Sequence, residues 1–324
     1  MSLLEVRDLS ISFDSSSTPV NVVNRLNFFI NEAEVFGLVG ESGCGKSLTA
    51  LAIMGLLPEN AYTRGAIHFK GRDLLTLDRE SMRRVRGREV SMIFQEPMTS
   101  LNPVLTIGYQ ISEVLFTHMG LSRKRAMEKA VDLLKAVKIP SPEIRLNEYP
   151  HQMSGGMRQR VMIAMAIACN PSLLIADEPT TALDVTIEAQ ILELMSSLKE
   201  ERNMAVLLIT HDIGVIAENA HRAAVMYAGR IVETSQVSQV LEAPKHPYTM
   251  GLLESLPKRK GIPLRPIPGS VPRPDELPPG CKFSDRCRYM IPECQKEEPA
   301  LREITPGHFA RCIRSEEIRW ELST

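Results

Sequence analysis

The pattern of hydrophobic and polar positions divides this chain into short apolar runs and longer segments with helical spacing. Polar and apolar residues alternate over residues 3–13 and 20–30, which predicts two strands that pair across a turn at residues 14–18. Short apolar runs predict further strands at residues 35–39, 65–71, 90–94, 173–176 and 205–209. Helical spacing predicts helices within residues 48–57, 107–137, 157–169 and 187–198, and a hairpin is predicted around Ala228-Gly229. This alternation of strands and helices predicts an α/β fold.

Bulk composition is that of an ordinary globular protein. The chain has 324 residues, is 44% hydrophobic and carries a formal net charge of -1, so it can build a large core and has no bulk charge that favours nucleic acid. No apolar run approaches the roughly 18 residues that span a bilayer, and charges near the N-terminus argue against a signal peptide. We therefore expect a soluble protein that reaches a membrane only through a partner. Six cysteines without a secretion signal favour a reducing compartment.

The most specific motif is a glycine-rich loop between a predicted strand and a predicted helix. Residues 40–47 read GESGCGKS and fit G-x-x-x-x-G-K-[ST], a pattern that turns backbone N–H groups toward one anion at the start of a helix. Lys46 is predicted to contact the β- and γ-phosphates, and Ser47 to supply a hydroxyl to Mg²⁺. Cys44 is interpreted as a tolerated small residue and not as a nucleophile. The predicted nucleotide-binding residues here are Gly40, Glu41, Ser42, Gly43, Cys44, Gly45, Lys46, Ser47 and Leu48.

Polar side chains follow several predicted strands, at the sheet edge where open parallel sheets bind ligands. The strand at residues 173–176 ends in Asp177, a predicted Mg²⁺ ligand, and Glu178, which is predicted to orient and polarise the attacking water. Gln95 lies at a strand-to-loop junction, because Pro97 prevents a helix there. His211 follows the strand at residues 205–209 and is placed to reach a γ-phosphate, although a lone histidine is more often structural.

Three features have two interpretations from the residues alone. Ser154, Gly155 and Gly156 precede an apolar helix and form either a second anion-binding cradle or an N-cap with a flexible turn. Phe13 either stacks on an adenine ring or packs in the core. The arginines within residues 79–88 form either a phosphate-backbone patch or a solvated helix face, and the interleaved acidic residues favour the latter.

The C-terminal part of the chain has a different composition. Eight prolines within residues 257–279 predict an extended linker, and four cysteines follow, Cys281, Cys287, Cys294 and Cys312. Their gaps of five, six and seventeen residues are wider than those usual between paired zinc ligands, whereas a cubane iron–sulfur cluster accepts wider spacing. The nearby basic residues Lys282, Arg286, Arg288 and Arg311 would offset the thiolate charge of a cluster. A cluster, a zinc site and scattered free thiols all remain open from spacing alone.

These motifs together resemble the nucleotide-binding subunits of ABC transporters, and the resemblance covers residues 1 to about 255. It implies a P-loop NTPase core with an antiparallel β subdomain and a helical subdomain at about residues 97–168, followed by a Pro/Cys-rich extension over residues 256–324. The motifs that carry the resemblance are Gly40 to Ser47, Gln95, Ser154-Gly155-Gly156-Met157-Arg158-Gln159, Asp177-Glu178, Ala182-Leu183-Asp184 and His211.

The resemblance also implies roles for single residues. Two such domains pair head to tail, so that Ser154, Gly155 and Gly156 would close over ATP held by the other subunit's phosphate loop. Gln95 would sense Mg²⁺ and the γ-phosphate and contact the membrane subunits, and His211 would act as the switch histidine. Phe13 lies where the family places its adenine-stacking aromatic residue, and Asp184 belongs to the same predicted nucleotide site. The family's signature motif corresponds to residues 153–159, which read MSGGMRQ where many members read LSGGQ. This difference leaves the serine and the two glycines of the motif unchanged.

A narrower resemblance points to the D-type ATPase of oligopeptide and dipeptide importers. It is carried by residues 96–103, residues 177–186, the His246-Pro247-Tyr248-Thr249 sequence and the Pro/Cys-rich tail. It implies that Cys281, Cys287, Cys294 and Cys312 hold a [4Fe–4S] cluster, in addition to ATP and Mg²⁺. It also implies a heterodimer with an F-type ATPase, below two membrane permeases fed by an extracytoplasmic binding protein. The subunit would then lie peripherally on the cytoplasmic face of the inner membrane.

Three other functions compete with peptide import: transport of another cargo, an ATPase of DNA repair or translation, and a regulatory nucleotide sensor. Because selectivity in such importers lies on other subunits, a nickel chelate or an antimicrobial peptide remains open as the cargo. Soluble ABC ATPases of DNA repair need long coiled-coil insertions, and those of translation carry two ATPase domains, whereas this chain shows one phosphate loop and no sustained heptads. A regulatory nucleotide sensor would not need Glu178 or His211. We therefore expect a transport ATPase with no nucleic-acid partner.

Overall fold

The computed structural model describes residues 2–14, 19–95, 100–181, 183–256 and 266–320. Within these residues the strands are β1 Ser2–Phe13, β2 Val20–Asn31, β3 Val35–Val39, β4 Ala61–Phe69, β5 Arg72–Asp73, β6 Val90–Ile93, β7 Leu173–Asp177, β8 Ala205–Thr210, β9 Arg222–Tyr227, β10 Arg230–Gln236, β11 Arg302–Thr305 and β12 His308–Ala310. The α-helices are α1 Lys46–Ile53, α2 Arg79–Val85, α3 Ile107–Met119, α4 Arg123–Ala136, α5 Pro142–Arg145, α6 Gly155–Ala166, α7 Val185–Arg202, α8 Ile213–Asn219, α9 Val237–Glu242 and α10 Pro247–Glu254. Short 3₁₀ helices cover Leu74–Thr76, Pro150–Gln152, Ser284–Arg286 and Pro292–Gln295.

Some sequence predictions fall outside the described residues. These are the predicted turn at residues 15–18, the 96–99 segment that begins the predicted helical subdomain, Ala182 of the predicted motif, and residues 257–265 of the proline-rich linker. Among the residues that are described, no helix is both long and apolar enough to cross a bilayer.

The chain divides into two compact units. The first unit contains Asn31–Glu34 and Thr76–Leu208, and the second contains Ser2–Ile30, Val35–Leu75 and the described residues from Ile209 onward. The second unit therefore holds both the glycine-rich loop and the cysteine-rich extension. The prediction that the main domain ends near residue 255 does not correspond to this geometric division, and it stays a prediction.

The second unit contains two sets of strands. One is an antiparallel sheet in the order β2-β1-β4-β5, which confirms the predicted pairing of the first two strands. The other runs β11-β12-β10-β9-β3, with β3 parallel to β9. The β9–β10 turn has φ of 44° at Ala228 and 78° at Gly229, the two left-handed residues that a type I′ hairpin requires. The predicted hairpin is thus confirmed.

The extension joins this sheet through β12, which pairs antiparallel with β10. The carboxylate of Glu233 on β10 is fully buried and accepts hydrogen bonds from the backbone N–H groups of Lys245 at 2.7 Å and His246 at 2.9 Å. His308 Nε2 of β12 lies 2.7 Å from the same carboxylate. Burying a carboxylate is costly unless it is fully hydrogen-bonded, and here three donors satisfy it. This cluster fixes the extension to the strand beside it.

The first unit places helices around strands in the order β8-β7-β6. The strand β6 runs parallel to β7, and both are buried throughout, as their continuous apolar runs predict. The predicted helix over residues 107–137 is two helices, because Gly120 adopts a left-handed φ of 63° and ends α3. Ser122 then caps α4, because its side chain accepts a hydrogen bond from the backbone N–H of Arg125. On α2, Arg83 pairs with Glu80 at 3.0 Å and both are exposed, which favours the solvated-face interpretation of the basic segment.

Candidate functional site

The glycine-rich loop connects β3 to α1 in the second unit. A Cβ on Gly40 would lie 2.1 Å from the carbonyl oxygen of Met226, so only glycine fits there. Gly45 has a φ of 103° immediately before α1, a conformation that side chains with a Cβ rarely adopt. Cys44 is buried, and burial raises the pKa of its thiol, which agrees with the interpretation that this cysteine is not a nucleophile.

The side chain of Lys46 folds onto its own loop. Its Nζ donates hydrogen bonds to the carbonyl oxygens of Gly40 at 2.7 Å and Glu41 at 3.1 Å, and the side chain is buried. These two carbonyl oxygens hold the ammonium group of Lys46 against its own loop. Ser47 and Leu48 occupy the first turn of α1 and are half-buried, and Phe13 ends β1 with a half-buried ring.

Two residues from beyond the loop hold Glu41, the second residue of the motif. Its backbone N–H donates to the hydroxyl oxygen of Tyr248 at 2.8 Å. Its carboxylate accepts two hydrogen bonds from Arg286, at 2.6 and 2.9 Å. Neither contact was predicted, because 207 and 245 residues separate the partners and no periodic pattern links them.

The predicted carboxylates lie in the first unit. Asp177 is the last residue of β7 and is 3% exposed, and Glu178 follows it with a left-handed φ of 45°. Gln95 Nε2 donates to Glu178 Oε2 at 3.1 Å, and Thr181 Oγ1 donates to the same oxygen at 2.8 Å. The structure therefore brings together Gln95 and Glu178, which the sequence selected independently. Thr181 was missed because the sequence indicated only a turn there.

Ser154 is an N-cap in this structure. Its hydroxyl oxygen accepts a hydrogen bond from Met157 N at 3.3 Å, and Ser154 is exposed at the start of α6. Asp184 caps α7 in the same way and accepts from Ile187 N at 3.0 Å. In the same unit, Gln159 donates from Nε2 to the carbonyl oxygen of Pro179, which ties α6 to the loop after Glu178. Gly155 and Gly156 form the first turn of α6.

His211 lies in the second unit, directly after β8, with its side chain exposed. The next residue, Asp212, caps α8 by accepting a hydrogen bond from Gly214 N at 2.6 Å. The cap holds the turn from which the imidazole projects, so His211 lies at the C-terminal end of a strand, as predicted.

Cys281, Cys287, Cys294 and Cys312 all line one small cavity in the second unit. Burial raises the pKa of the Cys287 thiol to about 11 and that of Cys312 to about 12. The cavity volume is about 10 Å³, roughly that of one water. Among the described residues, no group of three or more His, Cys, Asp or Glu side chains converges as the ligands of a metal ion would. The four thiols line one cavity, but no three of them converge on a common centre as metal ligands would.

Two known families match separate parts of this chain. The family described as ABC transporter matches residues 23–181, and the family described as oligopeptide/dipeptide transporter, C-terminal region, matches residues 232–294. The first match spans the glycine-rich loop, Gln95 and the Asp177-Glu178 pair. The second includes three of the four clustered cysteines.

Known proteins are similar to this chain along nearly its whole length. The dipeptide transport ATP-binding protein DppD of Escherichia coli is 49% identical, with 96% of each chain covered. The oligopeptide transport ATP-binding protein AppD of Bacillus subtilis is 50% identical, with 99% of each chain covered. Among solved structures, a dimeric ATP-binding cassette in a post-hydrolysis state, bound to ADP and phosphate, superposes with a TM-score of 0.65 at 27% identity, over 72% of this chain and 98% of that one.

Proposed function

This chain belongs to the ATP-binding subunits of ABC transporters and is an ATPase of that type, and we propose that its ATP hydrolysis drives the import of di- or oligopeptides. The observation that carries the proposal is the similarity to two peptide-transport ATP-binding proteins over at least 96% of the chain, including the C-terminal region. The residues of the candidate site fit this role.

The phosphate loop is proposed to bind the triphosphate of ATP. Backbone N–H groups of the loop are proposed to face one anion, and Lys46 is proposed to exchange its contacts with the carbonyl oxygens of Gly40 and Glu41 for contacts with phosphate oxygens. Phe13 is proposed to stack on the adenine, and Leu48 and Gly43 to complete the nucleotide contacts. Ser47, Asp177 and Gln95 offer hydroxyl, carboxylate and amide oxygens, the donor set that Mg²⁺ prefers. Bound Mg²⁺ would neutralise charge that develops between the β- and γ-phosphates.

Glu178 is proposed to act on the attacking water. Its carboxylate is oriented by two hydrogen bonds, from Gln95 and Thr181, and both reach the same oxygen. The carboxylate held in this way is proposed to accept a proton from water. His211 is proposed to contact the γ-phosphate. Because Gln95 bonds to Glu178, a movement of Gln95 caused by the membrane subunits would alter the orientation of the base.

A second ATPase subunit is proposed to complete the site. The exposed start of α6, with Ser154, Gly155, Gly156 and the neighbouring Asp184, would close over ATP held by the other subunit, as expected for a cassette whose solved relative is dimeric. The proposed partners are an F-type ATPase in a heterodimer, two permeases and an extracytoplasmic binding protein. The chain would then lie peripherally on the cytoplasmic face of the membrane.

Purification from solubilised membranes tests this assignment. We expect the tagged chain to bring along two polytopic membrane proteins and a second ATPase chain. In vesicles, the assembly should hydrolyse ATP faster when peptide and binding protein are added. Recovery of ribosomes or DNA in place of membrane proteins would contradict the transport function. If this chain is the only ATPase in the purified assembly, the ATPase pair is a homodimer and not the proposed heterodimer.

The four thiols are proposed to hold an iron–sulfur cluster. Their chemistry fits such a group, because four cysteine sulfurs line one largely apolar cavity and the backbone N–H of Arg314 donates to Cys312 Sγ at 3.4 Å. The raised thiol pKa values mean that ligation must release protons.

Cysteine substitution tests the cluster. Anaerobically purified protein is expected to show broad visible absorbance and about four iron atoms per chain, and Cys287→Ser with Cys294→Ser should abolish both. Cys169→Ser is the matched control, since Cys169 is half-buried in the other unit and lies outside the cavity. Colourless protein with stoichiometric zinc would refute the cluster.

A further inference from the structure

The cysteine-rich extension reaches the phosphate loop through one arginine. Arg286 ends the 3₁₀ helix Ser284–Arg286, directly before Cys287, and only 5% of its side chain is exposed. Its Nη1 and Nη2 donate to the two carboxylate oxygens of Glu41 at 2.6 and 2.9 Å. This planar, two-bond arrangement is the strongest geometry available to an arginine and a carboxylate.

The guanidinium of Arg286 is fixed from other directions too. Its Nε donates to the carbonyl oxygen of Pro268 at 2.7 Å, and its Nη2 also contacts the carbonyl oxygen of Gly269 at 3.2 Å. The ring centroid of Tyr227 lies 5.7 Å from Arg286 Cζ. Because every nitrogen of the guanidinium has a partner, Arg286 has one defined orientation, and Glu41 is held by a rigid group.

Tyr248 holds the backbone of the same loop residue. Its hydroxyl oxygen accepts the hydrogen bond from Glu41 N at 2.8 Å, and its ring is completely buried. The ring centroid lies 4.7 Å from that of Tyr227 and 5.4 Å from that of Phe283, which belongs to the extension. The side chain and the backbone of Glu41 are therefore both anchored by residues beyond position 246.

Glu41 carries a carboxylate within the loop that is proposed to bind the triphosphate of ATP. A carboxylate within a few ångströms of a triphosphate repels it, and the repulsion is larger where water is excluded. The paired guanidinium cancels this charge and fixes the direction of the side chain. Without its partner, the carboxylate would be a free negative charge on a loop that must receive phosphates.

We infer that Arg286 is a positioning residue for ATP binding: by neutralising and fixing Glu41, the cysteine-rich extension sets the affinity of the phosphate loop for nucleotide. The inference concerns ATP binding alone, and it does not depend on which group the four thiols bind or on which cargo is imported. It gives the extension a direct effect on the ATPase site within the same structural unit.

A double-mutant cycle tests this inference, with the dissociation constant of MgATP for the full-length chain as the readout. Arg286→Gln is expected to weaken MgATP binding by about tenfold when Glu41 is present. The same substitution in an E41Q background should weaken binding by less than about twofold, because the unpaired charge is then absent. Arg286→Lys, which keeps the charge, provides a second variant if R286Q fails to fold, and it should recover most of the affinity.

Arg288 supplies the matched control for this cycle. It flanks Cys287 on the other side and makes the same two-bond pair, with Glu254 at 2.7 and 2.5 Å, so among the described residues its charge is paired outside the loop. Arg288→Gln should leave the MgATP dissociation constant unchanged. The inference is overturned if R286Q weakens binding equally in both Glu41 and E41Q backgrounds, since the arginine would then only support the extension, or if R286Q binds MgATP as the parent does.

Discussion

Replacing Glu178 with glutamine is expected to preserve ATP binding and to lower steady-state hydrolysis by about 10²- to 10³-fold. The amide keeps the size of the side chain and leaves an oxygen for the hydrogen bonds from Gln95 and Thr181. It cannot accept a proton from water at neutral pH. The protein should therefore bind nucleotide and remain in the ATP-bound closed dimer, as measured by phosphate release together with the fraction of dimer.

Glu188→Gln is the control for that experiment. Glu188 is another carboxylate of the first unit, and its Oε1 accepts a hydrogen bond from Thr180 Oγ1 at 2.6 Å. The same chemical change there should alter hydrolysis by less than about threefold, because a local hydrogen bond contributes about 1 kcal/mol and has no part in the chemistry. Parental hydrolysis by E178Q would show that another group is the base.

Lys46→Ala is expected to weaken MgATP binding by about 100-fold, which corresponds to about 2.7 kcal/mol. The expected loss follows from removing the charge-assisted contacts to two phosphates that are proposed for Lys46, each stronger than a neutral hydrogen bond. Nucleotide titration of the purified chain measures the effect. The loop backbone remains, so residual binding should persist at high nucleotide concentration.

Lys282→Ala is a matched control, because Lys282 Nζ also donates to two backbone carbonyl oxygens, those of Pro278 at 2.7 Å and Pro279 at 3.2 Å. It contacts carbonyls of the extension and not those of the phosphate loop. Its removal should leave nucleotide affinity within about twofold of the parent, because its hydrogen bonds and its ion pair with Glu298 lie within the extension and do not involve Glu41. Equal losses for both lysines would mean that Lys46 acts only through the stability of the fold.

Local patterns predicted much of the ATP-binding elements. The strand β3, the loop and the start of α1 follow from a short apolar run, glycines and helical spacing, and the β9–β10 turn follows from Ala228-Gly229. The boundaries were less accurate: α1 ends at Ile53 and not at residue 57, because Gly55 has a φ of 60°. The strand β4 begins at Ala61, four residues before the predicted start at Gly65.

Contacts between distant segments could not be predicted. Arg286 looked like a counter-ion for thiolates, yet its charge is directed at Glu41, 245 residues away. The hairpin of β11 and β12 has strands of four and three residues, too short for a pattern of alternation to identify. Glu178 and Gln95 were each selected by position at a strand end, and their hydrogen bond follows from the pairing of β6 with β7, which a single sequence does not specify.

The pairing of β12 with β10 also affects how molecules of this protein meet one another. A strand at the border of a sheet presents unpaired N–H and C=O groups, with which a strand of another molecule can pair. Here the backbone N–H and C=O groups along one side of β10 pair with β12 of the same chain. The buried contact between Glu233 and His308 stabilises this pairing. The extension thus moves the border of the sheet from β10 to β11, a strand of four residues with exposed Arg302 and Glu303, and short charged border strands disfavour pairing with a foreign strand.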